Sequence, residues 1–191
     1  MTDTCGAFCS GPDTEFNTAM LRISYYSCVR RSLVWPELLV LLLLAGCYSG
    51  SRPPHIGSPA PDFTVKDSDH SITLSQLRGQ VVVLNFWATW CAPCVEEMPS
   101  LVQMQQMLKP KGITVVAISE DEDADAYHRF LKVHGVDLLT ARDQQHKSNN
   151  LYGTFKFPET YIIDRNGVMR RKFIGAVDWT EPEIRQYLSS M

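Results

Sequence analysis

The chain has 191 residues, of which 45% are hydrophobic and 20% are charged, and its formal net charge is -3. This balance is that of a globular protein and excludes a disordered or collagen-like chain. The small net charge, with no basic stripe along the sequence, argues against a nucleic-acid partner. The 6 cysteines are too few for a disulfide-dense small scaffold, and they fall into two groups that need separate explanations.

The first 46 residues have the layout of a secretory leader. Arg30 and Arg31 precede an apolar run over residues 38–45, which is followed by a glycine and Cys47. A charged segment, a short apolar segment and small residues, in that order, are typical of a cleaved signal peptide. The alternative of a transmembrane helix is less favoured, because a proline and a glutamate interrupt the stretch and leave fewer than the roughly 18 apolar residues that spanning requires.

The end of this leader, Leu44-Ala45-Gly46-Cys47, resembles the lipobox of bacterial lipoproteins. The resemblance implies cleavage before Cys47, which would then carry lipid and anchor the chain to a membrane. Several acyl chains on one residue would anchor the chain stably, whereas a single chain would bind only marginally. In the alternative interpretation Cys47 is a small residue near an ordinary cleavage site. Tyr48 and Ser49 are not the aspartate that usually retains lipoproteins at an inner membrane, which favours the outer membrane where there are two.

Translation is predicted to begin at Met20, since the polar residues 1–19 are unusual for a leader and the segment from Met20 to residue 46 has the usual length of one. Cys5, Cys9 and Cys28 leave with the leader under either start, so no chemistry is assigned to them. The predicted organisation is a signal peptide over residues 1–46, a lipidated flexible tether over residues 47–58 and a folded domain over residues 59–191.

Beyond the leader, the sequence predicts alternating strands and helices. The glycine, serine and proline content of residues 49–61 favours an extended, unfolded tether. Two short strands are predicted within residues 62–73, and the β-branched run over residues 81–86 indicates a strand buried on both faces. The later predictions are a helix over 95–108 bent at Pro99, a buried strand over 113–118, a helix ending at Gly135, a short helix over 144–152, a strand pair over 160–163 and 168–173, and a helix over 181–188 capped by Thr180. This order predicts an α/β layered domain with a mixed sheet.

Acidic residues fill most of positions 120–125, just before one of the predicted helices. Carboxylates at a helix start complement its dipole, and the glycine-bearing spacing of a calcium loop is missing from this run. We therefore interpret the run as a helix start rather than a metal site. The 5 histidines are scattered and are interpreted as surface or capping residues rather than ligands.

The chemistry is predicted at Cys91 and Cys94, which lie between the buried strand and the next helix. Unpaired amides and the positive dipole end of a helix stabilise a thiolate, so Cys91 is the predicted nucleophile. Cys94, one turn later, can attack the mixed disulfide made by Cys91 and release the partner. Pro93 fits the first helical turn, where its missing amide is no loss. Half of a zinc site and a static disulfide are the alternatives, but no second Cys-x-x-Cys or paired histidines exist, and a static bond needs neither a helix start nor the neighbouring Trp90.

Residues 83–94, VLNFWATWCAPC, followed by Glu96-Glu97-Met98-Pro99, resemble the TlpA/ResA-like branch of the thioredoxin superfamily, over about residues 58–191. The resemblance implies a thioredoxin-like fold, with a mixed central β-sheet flanked by helices and an N-terminal β-hairpin extension. It also implies a domain tethered outside the cytoplasmic membrane that reduces disulfides in client proteins, often apocytochrome c or a copper-site protein. Its reductant would be a membrane protein that relays electrons, and no cofactor or metal is expected.

Glu97 matches the acidic residue that this family carries after its cysteine pair. A carboxylate three residues from Cys94 lies on the same helix face, where it would raise the pKa of the thiol and could shuttle its proton. The alternative interpretation of Glu97 is an exposed helix glutamate. Asn85 stands where thioredoxin has a buried aspartate that accepts a proton, which leaves Glu97 as the candidate for proton transfer.

Pro158 matches the cis-proline of the family, beside which an incoming peptide pairs in related proteins. Together with Trp90, Pro93 and Phe157 it forms the predicted client-binding surface.

Two rival functions are open to this fold. A thiol peroxidase of the peroxiredoxin type would show Thr-x-x-Cys with a proline near the threonine, whereas Trp87-Ala88-Thr89-Trp90 precedes Cys91. A Sco-like copper-delivery protein would space its cysteines by three residues and add a distal histidine. The motif therefore favours the thiol-disulfide oxidoreductase, while the redox direction, the client and the oligomeric state stay open.

Overall fold

The computed structural model describes residues 53–191, and the structural statements below concern this part of the chain. The predicted leader, Cys47 and the first part of the predicted tether lie outside the described residues. Among the residues that are described, no helix has both the length and the apolar character needed to cross a membrane.

Seven strands and four α-helices form the domain. Their bounds are β1 Thr64–Lys66, β2 Ser71–Thr73, β3 Val81–Trp87, α1 Ala92–Leu108, β4 Ile113–Ser119, α2 Ala124–Val133, β5 Leu139–Arg142, α3 Lys147–Tyr152, β6 Glu159–Ile163, β7 Met169–Ile174 and α4 Pro182–Ser189. Single 3-10 turns follow β2 and α1.

The central sheet has five strands in the order β5-β4-β3-β6-β7. β3 pairs in parallel with β4, and β4 with β5, whereas β6 runs antiparallel to both β3 and β7. The sheet is therefore mixed, as predicted. All 7 residues of β3 are buried, which is the outcome expected of a continuous apolar strand at the centre of a sheet.

Alternate residues of β3 supply two separate cores. Val82 and Leu84 pack with the β1-β2 hairpin and with Tyr152 of α3 on one face. Val81 and Val83 pack with α1 and α4 on the other face. Because successive side chains of a strand point to opposite faces, Asn85 must also face α1. This parity places a polar residue beneath the helix that carries the cysteines.

Two predicted helix starts are wrong, for local reasons. α1 begins at Ala92 rather than residue 95, because Cys91 serves as its N-cap and Pro93 occupies its first turn. α4 is preceded by Glu181 as its N-cap, without a side-chain bond. Thr180, the predicted cap, instead donates its hydroxyl to Asp178 at 2.5 Å.

Strand β5 was not predicted from the sequence. It has only 4 residues and ends at Arg142, a residue type that is rarely buried. Its position depends on partners far along the chain: the Arg142 amide donates to Asp67 at 2.8 Å, and its guanidinium donates to the carbonyl of Glu122 at 2.9 Å. No local pattern encodes such contacts.

The last residues of the predicted tether belong to the folded domain. The Gly57 amide donates to the Met169 carbonyl at 2.8 Å, and the Met169 amide donates to the Ser58 carbonyl at 3.0 Å. The Ala60 amide donates to the Gly167 carbonyl at 2.9 Å. An unfolded tether is therefore the wrong description for residues 57–60, because backbone pairing with the start of β7 holds them.

Candidate active site

Cys91 and Cys94 are joined by a disulfide at the N-terminus of α1. Cys91 caps the helix, and its sulfur accepts a hydrogen bond from the Cys94 amide at 3.3 Å. Cys91 keeps 7% of its surface accessible, against 1% for Cys94. Of the two residues, Cys91 is therefore the one that is more accessible to an incoming thiol or disulfide. The same amide and the helix dipole can stabilise it as a thiolate after reduction.

Aromatic side chains form the surface beside the disulfide. Trp90 is 65% exposed, and its ring meets that of Phe157 edge to face, with 5.9 Å between the centroids. Phe157 also packs against the apolar cluster that contains both cysteines. The Phe157-Pro158 peptide bond is cis, in agreement with the resemblance. The predicted residues Trp90, Phe157 and Pro158 thus lie at one edge of the domain, while Pro93 is exposed in the first turn of α1.

Phe155 extends this surface and was not singled out from the sequence. It is 80% exposed, two residues before Phe157, although exposure of a large aromatic ring to water is unfavourable. The alternation of phenylalanine and lysine in Phe155-Lys156-Phe157 was the signal that could have found it. Exposed aromatic residues at the reactive edge are suited to contact with a protein partner.

Glu97 is buried, with 3% of its own surface accessible, so the alternative of an exposed helix glutamate is wrong. Its Oε1 accepts hydrogen bonds from the Trp179 indole at 2.6 Å and the Val177 amide at 3.2 Å, and its Oε2 accepts from Asn85 Nδ2 at 3.2 Å. Burial raises the pKa of Glu97 to about 7, and the bond from Trp179 opposes that rise without cancelling it. Glu97 can therefore hold or release a proton near neutral pH. Its neighbour Glu96 is exposed.

Asn85 links three elements around this carboxyl group. Besides its bond to Glu97, its amide nitrogen donates to Thr160 Oγ1 at 2.8 Å. Asn85 lies directly opposite Thr160 in the β3-β6 pairing, and Thr160 follows the cis-proline by two residues. Asn85, which stands where thioredoxin has a buried aspartate, thus contacts Glu97, the residue predicted to transfer the proton instead.

A cavity of about 460 Å³ runs along α1 and reaches Glu97. Its lining includes Glu96, Ser100, Val177 and Asp178. Glu97 is thus one of the residues that line a cavity open to solvent.

The sequence did not reveal the partners of Glu97 from the end of the chain. Val177 and Trp179 lie between β7 and α4, about 80 positions away in the sequence from the carboxyl group that they bind. A lone tryptophan within a short polar loop was the available signal, since a buried indole usually finds a hydrogen-bond partner.

The acidic run before α2 has two structural roles. Asp123 is the N-cap of α2 and accepts bonds from the amides of Asp125 and Ala126, as expected of a helix start. Glu120 is buried and lies 2.6 Å from Nδ1 of His146, which precedes α3. Burial raises the pKa of Glu120 to about 7. Within residues 53–191 no group of three or more His, Cys, Asp or Glu side chains could hold a metal ion.

The chain is similar in sequence and fold to known thiol-disulfide oxidoreductases. Residues 56–172 match the AhpC/TSA family. The chain is 31% identical to the thiol-disulfide oxidoreductase ResA of Bacillus thuringiensis, over 81% of this chain and 94% of the relative. It is 34% identical to ResA of Geobacillus kaustophilus, over 85% of this chain and 97% of the relative. Among solved structures, a DsbE thiol:disulfide interchange protein from Chlorobium tepidum is 33% identical, with a TM-score of 0.63 over 71% of this chain and 94% of the other. The thioredoxin-like fold is thereby confirmed.

Proposed function

Because the chain belongs to the AhpC/TSA family and is a thiol-disulfide oxidoreductase like its ResA relatives, we propose that it reduces disulfides in client proteins outside the cytoplasm. A lipid on Cys47 would hold it to a bacterial membrane. The observation that carries the proposal is the Cys91-Cys94 disulfide at the start of α1, one turn before a buried carboxyl group whose pKa is about 7.

The reduced enzyme would act by two successive exchanges. The Cys91 thiolate attacks one sulfur of the client disulfide, which forms a mixed disulfide and releases the other client sulfur as a thiolate. The Cys94 thiolate then attacks the sulfur of Cys91, which re-forms the bond seen in the structure and frees the second client thiolate. The client gains two electrons and two protons, and the enzyme is left oxidised.

Glu97 would manage the proton of Cys94. The Cys94 thiol is buried and must lose its proton before it attacks, and Glu97 follows it by one helical turn. A carboxyl group with a pKa of about 7 can accept that proton and pass it to solvent through the cavity along α1. When Glu97 is ionised, its charge also opposes formation of the Cys94 thiolate, which raises the pKa of that thiol.

The client would lie across Trp90, Pro93 and Phe157, with its backbone beside Pro158. The exposed ring of Trp90 and the ring of Phe157, which contact each other, offer an apolar surface for the client beside Cys91. Apocytochrome c is the client class that the ResA-like resemblance suggests.

The proposed membrane anchor is inferred from the leader, and the proposed electron source is inferred from the direction of the reaction. The lipobox-like Leu44-Ala45-Gly46-Cys47 supports attachment of lipid to Cys47. A reductase that works outside the cytoplasm is oxidised at every turnover, so a membrane protein that relays electrons would have to reduce Cys91-Cys94 again.

The first experiment is to measure the reduction potential of the Cys91-Cys94 pair in the full chain. A value near that of thioredoxin, about -270 mV, supports the reducing direction, whereas a value near that of a strong oxidant, about -120 mV, would reverse it. The Cys94→Ser variant should accumulate a mixed disulfide with the client, and the Cys91→Ser variant should form none. A Cys91→Ser protein with normal reductase activity would overturn the mechanism.

The anchor has its own test. Membrane fractionation should recover the wild-type chain with the membrane and the Cys47→Ala variant in the soluble fraction. Equal membrane recovery of both proteins would refute anchoring through Cys47 and leave the redox chemistry unaffected.

A further inference from the structure

The loop between β3 and α1 is hydrogen-bonded to the carboxylate of Asp121, which has no part in the exchange reactions described above. This loop carries Trp90 and leads directly to Cys91. The Thr89 amide donates to both carboxylate oxygens of Asp121, at 3.1 Å and 3.0 Å, and the Thr89 hydroxyl donates to Asp121 Oδ1 at 2.6 Å. The amide and the hydroxyl of Thr89 are thus both bound by the side chain of Asp121, two residues after the end of β4.

The hydrogen bonds between Thr89 and Asp121 extend the contact between β3 and β4 beyond the last backbone hydrogen bond of that strand pair. Trp87 and Ser119 are the last paired residues of β3 and β4, and the Glu120 amide still donates to the Trp87 carbonyl at 2.9 Å. Past this point the Asp121 carboxylate takes the place of a backbone acceptor for Thr89. The loop is therefore bound to the sheet to within two residues of the nucleophilic sulfur.

Asp121 is itself fixed in position. It is 2% exposed, and its Oδ2 accepts from the Ser119 hydroxyl at 2.6 Å, while its own amide donates to that hydroxyl oxygen at 3.1 Å. The Arg142 guanidinium donates to the Asp121 carbonyl at 3.3 Å. Burial of a carboxylate is unfavourable unless it is fully hydrogen-bonded. The groups around Asp121 therefore restrict the positions that its carboxylate can take.

We propose that Asp121 is a positioning residue for thiol-disulfide exchange, acting through Thr89 on the placement of Trp90 and Cys91. Attack on a disulfide needs the thiolate in line with the bond that breaks, and small displacements of a reacting group are costly in rate. The role goes beyond the proposed function, because it concerns the exchange step itself, whatever the client or the direction of electron flow.

The test uses the full chain and a small aromatic disulfide, which reports attack by Cys91 without client docking. Asp121→Ala removes the acceptor of both Thr89 donors, whereas Asp121→Asn keeps an acceptor for Thr89 and offers an amide to the Ser119 hydroxyl. Thr89→Val removes only the hydroxyl bond and leaves the charge. Asp125→Asn, an exposed carboxylate in the same acidic run, is the matched charge control.

We expect the second-order rate constant, compared at equal thiolate fraction, to fall about tenfold in Asp121→Ala. In Thr89→Val, which loses the hydroxyl bond, it should fall about threefold, in Asp121→Asn it should stay within about threefold of wild type, and in Asp125→Asn it should not change. The Asp121→Ala/Thr89→Val double variant should be no slower than Asp121→Ala alone, since both changes break the same contact.

Three outcomes would overturn the proposal. The first is a folded Asp121→Ala protein with a rate within twofold of wild type. The second is an Asp121→Asn protein as slow as Asp121→Ala, because the charge rather than the hydrogen bonds would then matter. The third covers the case in which Asp121→Ala does not fold: a folded Thr89→Val protein with an unchanged rate constant refutes positioning through Thr89.

Discussion

Replacing Glu97 by glutamine should flatten the dependence of stability on pH. The carboxyl group is protonated below pH 7 in the folded protein, whereas an exposed glutamate ionises near 4.5. The free energy of unfolding therefore falls as pH rises from 4.5 to 7, and above pH 7 the folded state has lost all the stability that the difference in pKa supplies at low pH. That difference corresponds to about 3 kcal/mol, since each tenfold change in proton affinity is worth 1.36 kcal/mol.

Glutamine can occupy the site without increasing the number of buried polar atoms that lack a partner, since the Asn85 amide nitrogen would take the place of its unpaired oxygen. The acceptor for Trp179 and Val177 is kept, and the new amide would meet Asn85. Asn85 Oδ1 has no partner among the described residues, so rotating the Asn85 amide presents that oxygen to the glutamine and to the Thr160 hydroxyl. The Glu97→Gln variant should therefore fold and retain its disulfide.

The assay is denaturant unfolding of the oxidised full chain at pH 5 and pH 8. The wild-type free energy of unfolding should fall more than that of Glu97→Gln over this interval, by up to about 3 kcal/mol. Glu120, whose pKa is also about 7, contributes equally to both proteins and cancels. Glu96→Gln, an exposed neighbour, should behave like wild type. Parallel pH profiles for wild type and Glu97→Gln would refute the assignment of a raised pKa to Glu97.

Three further perturbations test the site and its scaffold. Alanine at Trp90 or Phe157 should raise the KM for a protein client severalfold and leave the rate with a small disulfide unchanged; equal losses with both substrates would contradict a docking role. Lys172→Met should lower the free energy of unfolding by about 3 kcal/mol, since it strands the buried Glu159 carboxylate that Lys172 contacts at 2.7 Å. Arg165→Ala, which frees the carbonyls of three separate segments, should cost about 1 kcal/mol by the same measurement because the site is exposed. A loss from Arg165→Ala as large as that from Lys172→Met would contradict the ranking by burial.

Much of the architecture could be predicted because its signals are local. The unbroken apolar run of β3 indicated a buried strand, and Asn166-Gly167 indicated the turn between β6 and β7. The cysteine spacing and Pro93 together indicated a helix start. Boundaries shifted by a few residues where a cap or an edge contact decided them, as at Ala92 and in residues 57–60.

The sequence by itself determined the reactive pair, its place at the start of a helix and the mixed sheet behind it, since periodicity, turn residues and Cys-x-x-Cys spacing act within a few positions of the chain. Only the tertiary structure decided that Glu97 is buried, because its environment is completed by Trp179 from beyond β7 and by Asn85 from β3. The same holds for the bonds between Asp121 and Thr89, which join segments 32 positions apart. Desolvation and hydrogen bonding depend on which segments meet in space, and that is settled only when the sheet and its helices close around the site.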